Sequence, residues 1–301
     1  MLPNIIRVPK EEVDSVIPAQ GGATADAGQT RGGSVVVIVG PTAVGKSDLG
    51  LALGQRLGGE LISADSRQIY RHLDIGTAKP TVAERLLIPH HLVDIVTPDQ
   101  EYTVASFQED AYRAIDGALA RGRLPLLVGG TGLYVRAVVE GLRMPRIAPQ
   151  PRLRAELEER AAREGSGELH RQLQSLDQQA AARIDPRNIR RVVRALEVCL
   201  VAGQPISDLQ RVQAPGYDFV FIGLTCRRET LYRRIDERVE RQVASGLVEE
   251  TRRAIELGYG FDAPAMSGLG QRQIGLYLQG KLSLAEAIQL DKYDTHRFVR
   301  H

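Results

Sequence analysis

Apolar residues fall into short continuous runs separated by longer stretches with helical spacing. Val35 to Val39 is β-branched almost throughout, the pattern of a parallel strand buried on both faces. Leu61-Ile62-Ser63-Ala64 predicts a second strand, residues 90–96 a third, Pro125-Leu126-Leu127-Val128 a fourth and Phe219 to Leu224 a fifth. Between them, Asp48 to Leu53 and Thr103 to Leu119 repeat their apolar positions at helical intervals. Strands alternating with helices predict an α/β fold with a parallel sheet, whose ligands collect beyond the carboxyl ends of the strands.

The texture changes between the fourth and fifth strands. Residues 150–183 are rich in Arg, Glu, Gln and Ala, with Leu153, Leu157 and Ala161 at helical spacing and no strand. This predicts a helical insertion domain over 146–186, entered through Pro145, Pro149 and Pro151 and left near Asp185-Pro186. The α/β core is then 34–145 together with 187–301. An amphipathic helix runs from Asn188 to about Leu200, with Arg187, Arg190, Arg191 and Arg194 on its early turns. Such a run is either a solvated face or a binding face, and Arg190 and Arg194 are neighbours at i,i+4. Arg227 to Gln242 and Ser283 to His301 predict further helices, the first again rich in arginine. Residues 1–33 carry Glu11, Glu12 and Asp14 and turn Gly/Ala-rich, without the apolar centre of a signal peptide. They read as a disordered extension.

One stretch carries explicit chemistry. Gly40-Pro41-Thr42-Ala43-Val44-Gly45-Lys46-Ser47 is a G-x-x-x-x-G-K-[ST] loop between a strand and a helix. Its glycines allow successive N–H groups to converge on phosphate oxygens, and the helix start adds partial positive charge. Lys46 is placed to reach the outermost phosphate and the Ser47 hydroxyl to bind Mg²⁺. The loop alone leaves the phosphates unspecified, with a nucleoside triphosphate as the default.

Composition adds little against this. The 301 residues carry a net charge of +2, too mild to announce nucleic acid. Only five of the 39 basic residues are lysines, and arginine suits bidentate phosphate contacts. A GC-rich genome gives the same bias. Cys199 and Cys226 lack metal or disulfide spacing, and no apolar run approaches the ~18 residues of a membrane span. A reducing cytoplasm is the expected setting. His90 and His91 point to opposite faces of a strand, so they read as structural and not as a metal pair.

Beyond the phosphate loop, further blocks appear in order: Asp65-Ser66-Arg67-Gln68-Ile69-Tyr70, Asp74-Ile75-Gly76-Thr77-Ala78-Lys79-Pro80, His90-His91-Leu92-Val93-Asp94, Gly129-Gly130-Thr131-Gly132-Leu133-Tyr134 and Arg191 to Val198. With them the chain resembles the tRNA dimethylallyltransferases, the tRNA isopentenyltransferase family, over roughly residues 35–300. Two departures accompany the match. The family's Gly-Tyr-Arg/Lys-Gln/Glu block is Gly270-Gln271-Arg272-Gln273 here, and the chain ends at His301 without the family's later Trp-containing segment.

The resemblance implies a nucleotide-kinase-like core, an insertion that closes over tRNA, and a phosphate loop that holds dimethylallyl diphosphate in place of ATP. The acceptor is then N6 of the adenosine 3′ to the anticodon, flipped out of the loop stack. By the same resemblance Asp65 is the general base, Thr131 places the adenosine or the leaving group, and Arg194 neutralises the diphosphate with Lys46 and Mg²⁺. Asp65 as a pure orienter and Thr131 as a turn residue stay open as bland readings. Ser66, Arg67, Gln68, Arg154, Arg190 and Arg191, with Asp65 and Arg194, are the expected tRNA contacts of a monomeric enzyme. A kinase using ATP on a small molecule, an adenylate isopentenyltransferase and an inactive RNA-binding module are the alternatives.

Overall fold

The computed structural model describes residues 5–9, 32–143, 145, 147–210 and 212–300. Six strands, β1 (Ile5–Pro9), β2 (Ser34–Val39), β3 (Gly59–Ser63), β4 (His90–His91), β5 (Leu124–Val128) and β6 (Asp218–Thr225), form one sheet. Their order is β1-β6-β2-β5-β3-β4 and every pairing is parallel. Val35, Val37, Ile38, Leu126, Leu127 and Val128 are all buried, so consecutive side chains on opposite faces are covered. That is why these strands read as unbroken apolar runs.

Two expectations change at the sheet edges. Within the extension 1–33, Ile5–Pro9 is a strand whose register runs Ile5 opposite Phe221 to Pro9 opposite Thr225. Its β-branched residues suit a strand, and Pro9, which lacks an N–H, falls at its end. The rest of that extension, 1–4 and 10–31, lies outside the described residues. At the other edge the strand expected over 90–96 is two residues long. Leu92 and Asp94 take positive φ of 61° and 58°, which turns the chain out of the sheet.

The chain divides into two compact units, Met1–Val138 with Gly216–His301, and Val139–Pro215. In the first, α1 (Lys46–Leu57), α2 (Val82–Leu87), α3 (Val104–Ala120) and all but the last two residues of α4 (Gly132–Glu140) follow β2 to β5. Gly50 lets α1 lie close to the sheet, since a Cβ there meets Leu61 and Val128 at 3.0 and 3.1 Å. The helices α5 (Pro151–Glu164), α6 (Ser166–Leu176), α7 (Gln178–Arg183), α8 (Ile189–Ala202) and α9 (Ile206–Leu209) build the second unit. Its boundary differs from the expected 146–186. The apolar stripe Val192, Val193, Leu196 and Cys199 of α8 packs with Leu157, Leu169 and Leu173, so the arginine helix belongs to the helical unit and not to the α/β core. The first unit closes with α10 (Arg228–Ala244), α11 (Leu247–Glu256), α12 (Gln271–Leu278) and α13 (Leu284–Phe298).

Candidate active site

Strand order decides which motifs meet. Because β5 lies between β2 and β3, the phosphate loop after β2, the acidic turn after β3 and the glycine turn after β5 share one carboxyl edge. Gly45 caps α1 with φ 104°, and Gly40 has φ 151° where a Cβ would lie 2.6 Å from the Leu224 carbonyl. Both positions demand glycine. Lys46 curls back so that its Nζ donates to the Pro41 carbonyl at 2.7 Å. Burial pushes the Lys46 ammonium down to about 8, with the Asp65 carboxylate opposing that shift and Arg238 adding to it.

The acidic turn is held by its own atoms. The Arg67 amide donates to Asp65 Oδ1 at 2.8 Å, which fixes the carboxylate while leaving Oδ2 outside that bond. The Ser66 amide donates to Thr131 Oγ1 at 3.0 Å, and the Thr131 hydroxyl lies 3.3 Å from Ser66 Oγ. Gly129 permits this junction, since a Cβ there would fall 2.1 Å from the Ala64 carbonyl. Gln68 accepts from Ser63 Oγ and donates to the Ala78 carbonyl at 3.1 Å, so it braces a neighbouring loop. Arg67 donates to the Pro264 carbonyl and Ser267 Oγ.

Two recesses flank these residues. One of about 450 Å³ runs along Gly45, Lys46 and Ser47, and another of about 1060 Å³ runs along Ser66, Arg67 and Thr131. Thr42, Lys46, Asp65, Thr77 and Arg238 border both. The arginines come from α10, where Leu231, Ile235 and Val239 bury one face and Arg234, Arg238 and Arg241 reach the smaller recess. Arg234 Nη1 is buried without a hydrogen-bond partner among the described residues. Burial holds the Arg238 guanidinium below its ordinary value, with Asp65 and Asp291 opposing. Asp291, on α13, lines the larger recess and is pushed up to about 6 by burial, although it accepts from the Gly270 amide.

Thr77 to Pro80 line the smaller recess and Gly76 and Thr77 the larger, and the clamp on this 74–80 loop comes from elsewhere in the chain. Glu250 accepts the amides of Asp74, Ile75 and Gly76 at 2.6, 2.7 and 3.0 Å. Gln242 donates to the carbonyls of Ile75 and Gly76. Gln271 is fully buried against Gly76, where any Cβ would strike its amide, and donates to Glu250. Lys79 is paired with Asp74 and Asp94.

The other expected arginines lie in the helical unit. Arg154 and Arg194 both bind Glu197, and Arg194 also donates to the Ile147 carbonyl at 3.1 Å. Arg190 and Arg191 are exposed on the first turn of α8. The structure therefore brings Lys46, Ser47, Asp65, Ser66, Arg67, Gln68 and Thr131 together and places Arg154, Arg190, Arg191 and Arg194 in the other unit. Sequence reasoning missed Arg234, Arg238, Glu250 and Asp291. For the α10 arginines the signal was available: they flank the apolar stripe at intervals of three and four.

Among known proteins, residues 68–301 match the family model described as IPP transferase, and residues 33–88 match that described as Isopentenyl transferase. A tRNA dimethylallyltransferase of Thermomicrobium roseum is 57% identical over 267 residues, 89% of this chain and 81% of that protein. One of Roseiflexus is 53% identical over 266 residues, 88% of this chain and 87% of that protein. A tRNA isopentenylpyrophosphate transferase of Bacillus halodurans superposes with a TM-score of 0.64 at 42% identity, over 89% of this chain and 84% of that one. A eukaryotic dimethylallyltransferase, solved acting on tRNA, gives 0.75 at 28% identity over 89% of this chain and 68% of that one.

Proposed function

The chain belongs to the IPP transferase family, and from that premise we propose how its residues divide the reaction. It transfers a dimethylallyl group from dimethylallyl diphosphate to N6 of the adenosine on the 3′ side of a tRNA anticodon, releasing diphosphate. The observation that carries the assignment is the shared border of the two recesses: a lysine, a carboxylate and an arginine stand between a phosphate cradle and a larger space.

The diphosphate occupies the smaller recess, on the loop amides of Thr42 to Ser47. Lys46, Arg234 and Arg238 neutralise the charge that grows as the allylic C–O bond breaks. Arg194 has partners in its own unit, so we assign this work to the α10 arginines and give Arg194 to the RNA side. Ser47 is exposed at the start of α1 and supplies one hard oxygen. Among the described residues no group of three or more His, Cys, Asp or Glu forms a metal cage. A Mg²⁺ ion fits as one held by Ser47, phosphate oxygens and water. When bound, it supplies further neutralisation of the leaving group.

The adenine enters the larger recess and presents N6 to Asp65. With one oxygen fixed by the Arg67 amide, the carboxylate keeps the other for the amine, orienting it and taking its proton as the C–N bond forms. Thr131 acts on this geometry through the Ser66 amide. Ser66 and Arg67, which line the larger recess, meet the RNA, while Gln68, expected as a third contact, lines the smaller recess and braces the 77–78 loop. Arg154, Arg190, Arg191 and Arg194 meet RNA phosphates. The residues assigned here to donor and acceptor all belong to one chain, in keeping with a monomeric enzyme. Among the described residues no helix is long and apolar enough to cross a membrane, and a cytoplasmic enzyme fits a tRNA substrate.

Labelled dimethylallyl diphosphate incubated with the protein, Mg²⁺ and unmodified tRNA tests this reading. Label recovered on the adenosine next to the anticodon is the expected result. Label on free AMP, or phosphoryl transfer from ATP to a small molecule with no label in RNA, overturns it.

A further inference from the structure

Glu197 is the most deeply buried acidic side chain of the helical unit, with no exposed surface. Its Oε1 accepts the Gln150 amide at 2.6 Å and Arg154 Nε at 2.9 Å. Its Oε2 accepts Arg154 Nη2 at 3.0 Å and Arg194 Nη1. The carboxylate is thereby fully used and held ionised, its value lowered by Arg154, the Gln150 amide and Arg194 against the opposing effect of burial. The two guanidinium groups differ from it: their side chains keep 35% and 36% of their area exposed. Each is fixed along one edge and open along another. Among the described residues, Arg154 Nη1 and Arg194 Nε take no part in these bonds.

Buried ion pairs contribute little net stability against an apolar packing of the same shape. The group carries one carboxylate and two guanidinium ions, a net single positive charge, with the carboxylate covered and both arginine side chains partly exposed. Arg190 and Arg191, exposed one turn earlier on α8, extend the same cationic strip. A guanidinium held on one edge loses little rotamer freedom when its other edge meets an oxyanion. We propose that Glu197 is a positioning residue for tRNA recognition, setting the spacing and direction of the Arg154 and Arg194 forks so that they match two phosphates of the anticodon arm. This rests on the reading of the helical unit as RNA-binding. Glu197 touches no RNA itself; it fixes geometry while subtracting charge.

That division has a distinct signature, because removing a positioning carboxylate frees two cations without removing any. Affinity of the full chain for an unmodified anticodon stem-loop and for an oligouridylate of equal length is measured across salt. Arg154→Ala lowers the log–log salt slope by roughly 0.7–0.9 for its lost phosphate contact. Glu197→Gln weakens the stem-loop by about tenfold at an unchanged or steeper slope, and leaves oligouridylate within about threefold of wild type. Leu173→Ala, a core change in the same unit, leaves both affinities unchanged once the folded fraction is counted. Should Glu197→Gln not fold, Glu197→Asp carries the same test, since the shorter stem keeps the charge but cannot serve both arginines. Loss of slope with loss of affinity, equal weakening of both RNAs, or no weakening in the Glu197 variants overturns the positioning role. If Arg154→Ala and Arg191→Ala bind the stem-loop as wild type at every salt, it is the RNA-binding reading of this unit that fails.

Discussion

The backbone amide of Ser66 donates to the side-chain oxygen of Thr131 at 3.0 Å, joining the acidic turn after β3 to the glycine turn after β5. Asp65 therefore inherits its position, through its neighbour Ser66, from a residue 65 places beyond Ser66 in the chain. The bond makes Thr131 a structural partner of the acidic turn and not merely a turn former. Thr131→Val keeps the shape and removes the acceptor, leaving a part-buried amide unpaired at a cost of about 1–3 kcal/mol. Single-turnover transfer is expected to fall by roughly 5- to 150-fold, the rate equivalent of that cost, while Thr131→Ser restores it. A valine variant with the wild-type rate reduces Thr131 to its backbone.

Asp65 separates two roles. Asparagine keeps the size of the side chain and one carbonyl acceptor, which pairs with the Arg67 amide, but it takes no proton from the adenine amine. Asp65→Asn is expected to bind tRNA and donor almost normally and to lose about 10²–10⁴ in single-turnover rate. Transfer within a few-fold of wild type would leave Asp65 as an orienter alone.

Lys46 gives donor binding a pH dependence. Its ammonium titrates near 8 in the free site, and a bound diphosphate favours the charged form. Affinity for dimethylallyl diphosphate is thus expected to be level up to about pH 8 and to weaken above it by up to about tenfold per pH unit. Lys46→Arg, which keeps its charge, flattens that profile even if it binds less tightly. A wild-type profile level to pH 10 contradicts the shift.

Asp291 predicts a stability effect of opposite character. Its folded value, pushed up to about 6 by burial, lies above the 3.8 ordinary for an aspartate. Folding therefore favours the protonated carboxyl: its contribution is full below about pH 4 and is lost as pH rises through about 6, roughly 3 kcal/mol in all. Asp291→Asn keeps an acceptor for the Gly270 amide and removes the titration. The variant's stability relative to wild type is expected to rise between pH 4 and 7 in denaturant unfolding. A difference that does not change with pH contradicts it.

What the sequence disclosed and what it hid follow from the range of the interactions. Val35 to Val39 and Leu124 to Val128 are legible because a strand buried on both faces must be apolar at every position. The phosphate loop and Asp65 are legible because their chemistry is local to a turn. Glu250 is not: on α11 it resembles any acidic helix residue, and only the tertiary fold brings the amides of residues 74–76 to it. Arg238 looks like part of a solvated face until α10 lies across the phosphate loop. The end of the insertion was misplaced because Asp185-Pro186 marks a local turn, whereas the unit's limit is set by where the apolar stripe of α8 packs.

The central claim is that the loop ending in Lys46 and Ser47 holds the prenyl donor while tRNA is bound by other residues. Lys46→Ala, assayed for both transfer and tRNA binding, tests it most directly. Loss of a charge-assisted contact to the leaving diphosphate is expected to slow single-turnover prenyl transfer by about 2–3 kcal/mol or more, with tRNA affinity within a few-fold of wild type. Collapse of tRNA affinity with prenyl transfer intact at saturating RNA would contradict it.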